Sequence, residues 1–362
     1  MKKIAVLLFV LVFTAGTAFA AAEWNLYGSA RMQSWYEMFD APTGQLFANG
    51  ENDYTDLLFD LQGNSRLGAT VKFSDAVSGQ FEFGISTTNV TNRLILGHWN
   101  FGAGTLSVGQ GYTPLYFPIS SLAYGSDIGF LQTAEPYQGR QPMAQLAIAG
   151  FKLALVKQHG QAAAVAGAPA AAITRDMIPK IEVAYGQKFG PVSFNVGGGW
   201  QRYEFDTATT DFDIDAWLVG ANVIYSTGPF RVGVVGHFSQ NGAQFGQSRG
   251  AGTLTGDFSS AVIANNVVYD NDTWGAGAVV GFRATKALNF ELGFSRIESE
   301  SDLPGSITRK TDAYYAQAAI TLAPGVFIVP AVGVFERKDD AGAGSLDGQK
   351  ITFAGAKWQI NF

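Results

Sequence analysis

From Trp24 to Phe362 the apolar residues fall on every second position in segment after segment. Trp24, Leu26, Gly28, Ala30 and Met32 alternate with Asn25, Tyr27, Ser29, Arg31 and Gln33. Leu57, Phe59, Leu61, Leu67, Ala69, Val71 and Phe73 share one parity against Asp60, Gln62, Asn64, Arg66, Thr70 and Lys72. The same pattern returns at residues 192–200, 230–238, 274–282 and 288–294. A period of two with one apolar face describes a strand whose faces meet different media. After residue 20 no apolar run approaches the roughly 18 residues of a membrane helix. The chain therefore reads as all-β, and what remains open is whether its apolar face meets a core or lipid.

Composition narrows the choice. Charged residues make up 15% of the chain, against about 25% in soluble domains. With 44 glycines and many aromatics, that fits either an exported all-β domain or an outer-membrane barrel. Turn lengths separate the two. Short turns fall at Ser74–Gly79, Phe101–Gly104, Ile148–Gly150, Gly190–Pro191, Gly228–Pro229, Thr285–Ala287 and Ala323–Gly325. Longer, more polar loops lie near 41–54, 113–139, 159–176, 207–211, 241–271, 300–308 and 339–347. Outer-membrane barrels have short periplasmic turns and long external loops, whereas a soluble sandwich has no reason to alternate them.

The expected strands are 24–39, 55–73, 79–88, 92–101, 105–112, 140–148, 150–158, 177–189, 192–206, 212–226, 229–240, 272–284, 288–299, 309–322, 326–338 and 348–362. That is a sixteen-stranded antiparallel transmembrane β-barrel, with an even count that leaves both termini on the periplasmic side. Pro330 in mid-strand predicts a bulge. Phe73, Phe101, Phe151, Phe189, Phe230, Phe290 and Phe327 sit beside the short turns, where an interfacial girdle belongs. Small outward residues on the first strand, Gly28 and Ala30, suit close packing of subunits. In the final strand Trp358, Ile360 and Phe362 alternate with Lys357, Gln359 and Asn361. A terminal Phe on such a strand is what outer-membrane proteins present to the barrel assembly machinery.

The first twenty residues read as a signal peptide. Lys2 and Lys3 precede an apolar run from Ile4 to Phe13, and Ala18-Phe19-Ala20 supplies a cleavage site. Residues 21–362 then form one barrel domain. Loss of Lys2 and Lys3 takes the formal charge from −6 to −8, which argues against a nucleic-acid partner. The absence of cysteine excludes disulfides and thiolate metal sites. Neither a cofactor nor a metal is implied. His98, His159 and His237 have no Ser or acid at a catalytic spacing, and Gly197–Gly199 lacks the strand-to-helix context of a phosphate loop. The chain reads as a non-enzyme. Residues 162–172 form a low-complexity stretch within an external loop.

One stretch breaks the alternation. From Tyr112 to Gln141 there is neither period, and Pro114, Pro118, Pro136 and Pro142 keep it from being an interior strand. It is too apolar for a solvated loop, and a structureless connection of that length is usually functional. The expectation is that it folds into the lumen and narrows it.

Several motifs now resemble the Gram-negative trimeric porins of general diffusion: Leu26-Tyr27-Gly28, then Asn64-Ser65-Arg66-Leu67-Gly68, then Arg93 to Gly97 leading through Phe101–Gly109 into the loop. The resemblance covers the mature chain, strongest from Trp24 to Pro114 and over the last strand. It implies a homotrimer in the outer membrane, in contact with lipid and lipopolysaccharide, passing ions and small hydrophilic solutes. It also implies loop acids facing wall arginines at a constriction. Arg66 and Arg93 carry over through their motifs; Arg31 and Arg140 are further basic-wall candidates. Asp127 and Glu135 are the loop acids. The loop lacks the family's P-E-F-x-G segment and is more aromatic. A solute-selective channel, with Tyr112, Tyr116, Phe117, Tyr124 and Tyr137 as a stacking path for sugars or aromatic compounds, is one alternative. A plugged structural or receptor barrel is another. Acidic external loops, including Glu51, Asp53, Asp211, Asp213, Asp270, Asp272, Asp302, Asp339 and Asp340, suggest a slight cation preference or divalent bridging to lipopolysaccharide.

The mature chain should refold in detergent into a β-rich, heat-modifiable species that runs as an oligomer in mild gels. A helical far-UV spectrum, or a water-soluble monomer, would overturn this reading.

Overall fold

A computed structural model describes residues 22–362, apart from 43–44, 46, 48–49, 132, 159–163, 166–172, 177, 207–209, 248–258 and 343. The signal segment, His159 and most of the low-complexity stretch lie outside these residues.

Sixteen strands run antiparallel: β1 Glu23–Asp40, β2 in two parts (Asp53–Leu61 and Ser65–Lys72), β3 Val77–Ile85, β4 Val90–Asn100, β5 Thr105–Tyr112, β6 Arg140–Ile148, β7 Phe151–Val156, and β8 in two parts (Ile173–Asp176 and Lys180–Phe189). They continue as β9 Val192–Asp206, β10 Asp211–Thr227, β11 Phe230–Gln240, β12 Asn271–Arg283, β13 Leu288–Ser301, β14 Arg309–Ala323, β15 Val326–Arg337 and β16 Lys350–Asn361. β16 returns to β1, from Ser29↔Asn361 to Asp40↔Lys350, and closes the barrel. Closure leaves no edge with unpaired N–H and C=O groups in the hydrocarbon.

The parity read from the sequence sets the two surfaces. Leu26, Phe59, Phe151, Phe189 and Phe238 are each more than 60% exposed on the outside. In water such a belt would be a liability; against lipid it is the required surface. Ser29, Arg31, Gln33 and Trp35 point inward on β1. Six of the seven girdle phenylalanines are exposed, but Phe327 is half-buried, because it shares the inward parity of Val329, Ala331 and Phe335.

Three local features depart from the sequence expectation. The expected strand over 55–73 breaks at residues 62–64, where Gln62 and Asn64 turn to bind the infolded loop. No bulge marks Pro330: it pairs with Ala356 on β16, while the irregularity toward β14 lies between Thr321 and Ala323. The ladder toward β14 skips Pro330, which has no N–H to give. The loop after β11 is only partly external. Residues 242–245 form a buried 3-10 turn inside the barrel mouth, and Val262–Ala264 pairs with Val267–Tyr269 in a separate hairpin.

The seam has its own lock. Gly28 and Phe362 exchange backbone hydrogen bonds of 2.7 and 3.1 Å. The Phe362 ring covers Gly28, so a Cβ there would stand 2.4 Å from the ring. Gly28 is thus occupied by its own chain's terminus and is not a free subunit surface. Gly28→Val should displace the ring at a cost of about 1–3 kcal/mol. Urea unfolding of the detergent-folded barrel checks this, and an unchanged midpoint would mean that the ring contributes nothing to closure.

Candidate functional site

Residues 113–139 leave β5 and reach β6 without pairing as a barrel strand. Pro114, Pro118 and Pro136 cannot donate to a ladder, so the other backbone groups need partners elsewhere. The wall supplies them. Asn222 donates to the Phe117 carbonyl at 3.2 Å, and Arg231 to the Ile119 carbonyl at 2.7 Å. Glu291 accepts from the Ser121 N–H at 2.8 Å, and Gln317 from the Ala123 N–H at 3.0 Å. Across the lumen, Gln62 donates to the Ala123 carbonyl and Asn64 to that of Ser126. On the way back Thr133 meets Ser295 at 2.8 Å, and Gln138 binds both Glu182 and Lys180.

The apolar side of the loop also needs a receiving surface. Leu115, Phe117, Ile119, Leu122 and Phe130 are buried. A Cβ on Gly233 would lie 3.2 Å from Ile119, and one on Gly293 would lie 2.8 Å from Phe130. Glycines on the lumenal face let the loop approach the wall. The loop after β11 closes over its base: a Cβ on Gly246 would lie within bonding distance of the Tyr137 carbonyl.

The loop tip, Tyr124–Asp127, holds Gly125, Ser126 and Asp127 in left-handed backbone at φ 59°, 65° and 61°. For Ser and Asp this is a sparsely populated region that persists only when the surroundings enforce it. Asn64 does so, donating to Asp127 at 2.7 Å as well as to Ser126. The turn delivers the Asp127 carboxylate to Arg31 and to Lys357, whose Nζ is 2.6 Å away. Tyr124 faces away from the passage. It stacks on Phe353 at 4.0 Å and donates to Glu37 at 2.7 Å.

Glu135 does not face the basic wall as the sequence suggested. It is fully buried and accepts from the N–H groups of Ile119, Ser120 and Phe130 at 2.7, 2.7 and 3.3 Å. An acid in an apolar loop can be a hub for stranded backbone donors, and that is its role here. Burial outweighs those bonds and pushes its carboxyl up to about 7.

Arg93 comes to the site through a bulge. The β3–β4 register passes from Glu82↔Leu94 to Phe83↔Asn92, leaving Arg93 as the extra residue. Bulges re-aim side chains, and here Arg93 and Leu94 are both buried in succession. Arg93 Nε sits 2.5 Å from Glu82 Oε1, Arg66 Nη1 is 3.6 Å from the same oxygen, and Tyr27 donates to Oε2 at 3.1 Å. Gly84 makes room, since a Cβ there would lie 2.9 Å from Arg93 Cδ.

On β5–β6 Arg140 pairs across the ladder with Tyr112. Its Nη2 donates to the Tyr112 hydroxyl at 2.8 Å, and Cζ lies 4.7 Å from the ring centroid. Tyr112 stacks on Tyr116 at 4.5 Å, and Tyr137 leans on Tyr116 at 5.5 Å. Between this column, Arg66, Arg93, Arg140 and the tip around Asp127 lies a cavity of about 580 Å³. Phe117 and Tyr124, expected on the same aromatic path, are buried away from it.

A family model described as Gram-negative porin matches residues 7–340. The chain belongs to that family. It is an outer-membrane channel for passive diffusion, and fold and family point to transport rather than catalysis. No curated relative matches this porin. Among solved structures it is similar to the outer membrane channel DcaP of Acinetobacter baumannii (TM-score 0.69, 15% identity, 95% of this chain and 98% of that one). It also resembles OmpT of Vibrio cholerae in its trimer form (0.60, 14%, 94% and 100%) and an anion-selective porin from Comamonas acidovorans (0.57, 14%, 94% and 100%).

Sequence reasoning placed Arg31, Arg66, Arg93, Arg140 and Asp127 among the constriction residues, and the structure brings them to one region. It missed Glu82, Asn64 and Lys357 as their partners. All three carry lumenal parity, which was the available signal. His98 bonds Ser107 near a turn, and His237 is buried against the Ala134 carbonyl.

Glu135 makes loop anchoring depend on pH. A carboxyl raised from its ordinary 4.5 favours the folded loop fully below pH 4.5, and that contribution is lost as pH rises through about 7. Open-channel current noise should therefore grow between pH 4.5 and 8. In Glu135→Gln, which stays neutral, the noise should be flat over that range; a slope equal to wild type would remove Glu135 from the account.

Proposed function

We propose that this porin, while passing small hydrophilic solutes generally, favours anions at its constriction. The observation that carries this reading is the charge census at the narrow passage. Arg31, Arg66, Arg93, Arg140 and Lys357 stand against Asp127 and Glu82, an excess of three positive charges. A unit charge about 4 Å from an ion is worth about 4 kcal/mol at an effective dielectric of 20. Water in the passage screens part of that, which leaves a preference and not an exclusion.

This reverses the cation preference suggested by the acidic mouth loops. Charges in open water are screened over about 8 Å at physiological salt. Several of those acids are also paired: Asp339 with Arg337 at 3.2 Å, and Asp340 with Lys310 at 2.7 Å. The Comamonas relative is described as anion-selective, but at 14% identity the likeness extends to the fold alone. The anion reading therefore rests on the charges.

The proposal includes a homotrimer, as in the OmpT trimer form, embedded in lipid and lipopolysaccharide. It also includes recognition of the strand ending Trp358, Ile360 and Phe362 by the assembly machinery. The mass of the detergent-solubilised particle tests the first, and surface levels of a Phe362 deletion test the last.

In a potassium chloride gradient the reversal potential should have the sign of anion selectivity. Asp127→Asn should strengthen it. Arg66→Ala with Arg93→Ala should weaken it, because Glu82 then stands uncompensated. A cation-selective wild type would sink the reading.

A further inference from the structure

Four of the five cations at the constriction are tied to a carboxylate: Arg31 and Lys357 to Asp127, Arg66 and Arg93 to Glu82. Arg140 is different. Among the described residues it has no acidic partner, and its one hydrogen bond goes to the Tyr112 hydroxyl. Its Nε is buried without a partner. It nonetheless lines the passage together with Arg66 and Arg93.

We propose that Arg140 is the centre of a saturable oxyanion-binding station within the constriction, held in place by Tyr112 and the tyrosines stacked on it. The inference rests on the anion reading above and deepens it, from a preference by sign to binding by shape.

The tyrosine column argues for positioning and against an aromatic path. Tyr112 has the Arg140 guanidinium above its ring, with Tyr116 stacked 16° from parallel. Tyr137 leans on Tyr116 and comes within 6.0 Å of the same guanidinium. The ring faces are thus spent on each other and on Arg140, so a passing aromatic solute finds little free face to stack on. What the column does provide is a fixed guanidinium. Arginine carries five N–H donors in a planar fork that matches the oxygens of a carboxylate or phosphate. A fork already held by a cation–π contact and a hydrogen bond loses less freedom when an anion docks. Chloride, a sphere, gains the charge but not the fork. The ligand class is therefore a small oxyanion, either carboxylate or phosphate.

The test is chloride current through single channels with acetate or inorganic phosphate added in separate titrations. Wild type should show saturable block by at least one of them, and the stronger blocker identifies the oxyanion chemistry. Arg140→Lys keeps the charge and loses the fork. It should keep the anion-selective sign of the reversal potential while raising the half-blocking concentration about tenfold, equivalent to about 1.4 kcal/mol. Tyr112→Leu should do the same by releasing Arg140, and Tyr112→Phe, which keeps the ring, should recover part of the loss. Unchanged heat-modifiable gel mobility checks that each variant is folded. Linear, non-saturating currents with both oxyanions, or Arg140→Lys blocked like wild type, would overturn the station while leaving the anion reading intact. A cation-selective wild-type reversal potential would instead remove the anion reading on which the station rests.

Discussion

Backbone polar groups cannot be left unpaired in hydrocarbon, and every other feature of this porin follows from how it meets that demand. The ladder from β1 to β16 pairs the spanning strands and closes on itself, with Gly28 and Phe362 finishing the seam. Closure creates an inside and an outside at once. The outside is an apolar belt, and the inside is free to be polar, because period-two alternation sends every other residue there.

The interior then solves the same problem a second time. A proline-interrupted loop at membrane depth is tolerated only where protein or water satisfies its backbone. Here lumenal side chains do so, including Asn222, Arg231, Glu291, Gln317, Gln62 and Asn64, with Glu135 acting from within the loop. Glycines on the facing strands let its apolar side chains seat. The loop packs against much of the wall, and the passage remains on the side where Arg66, Arg93 and Arg140 stand.

Charge pairing divides the work among the basic residues. Glu82 draws Arg66 and Arg93 back to the wall, and Asp127 ties Arg31 and Lys357 to the loop tip. These pairs are partly buried, so breaking one partner would leave a lone charge with less solvent to screen it. Arg140 is held by aromatic rings and, among the described residues, has no acidic partner. Acidity spread over the outer loops says little about selectivity, because it acts through open water.

Alternation together with turn lengths determined the fold class, the strand count, most strand limits within a few residues, and the inward direction of Arg31 and Arg66. Those properties depend on local periodicity, and each strand carries its own record of it. Tertiary structure decided the rest. Nothing near Glu135 in sequence shows that it serves stranded N–H groups in its own loop, and nothing near Pro330 shows that one neighbouring ladder can skip it. Arg93 owes its place to a bulge, a property of register between two strands. Glu82, Asn64 and Lys357 became partners of the constriction only when closure placed β1, β2, β3 and β16 around the loop tip. Pairings between distant segments depend on register and on how far the loop reaches across the lumen, and periodicity within one segment cannot encode either.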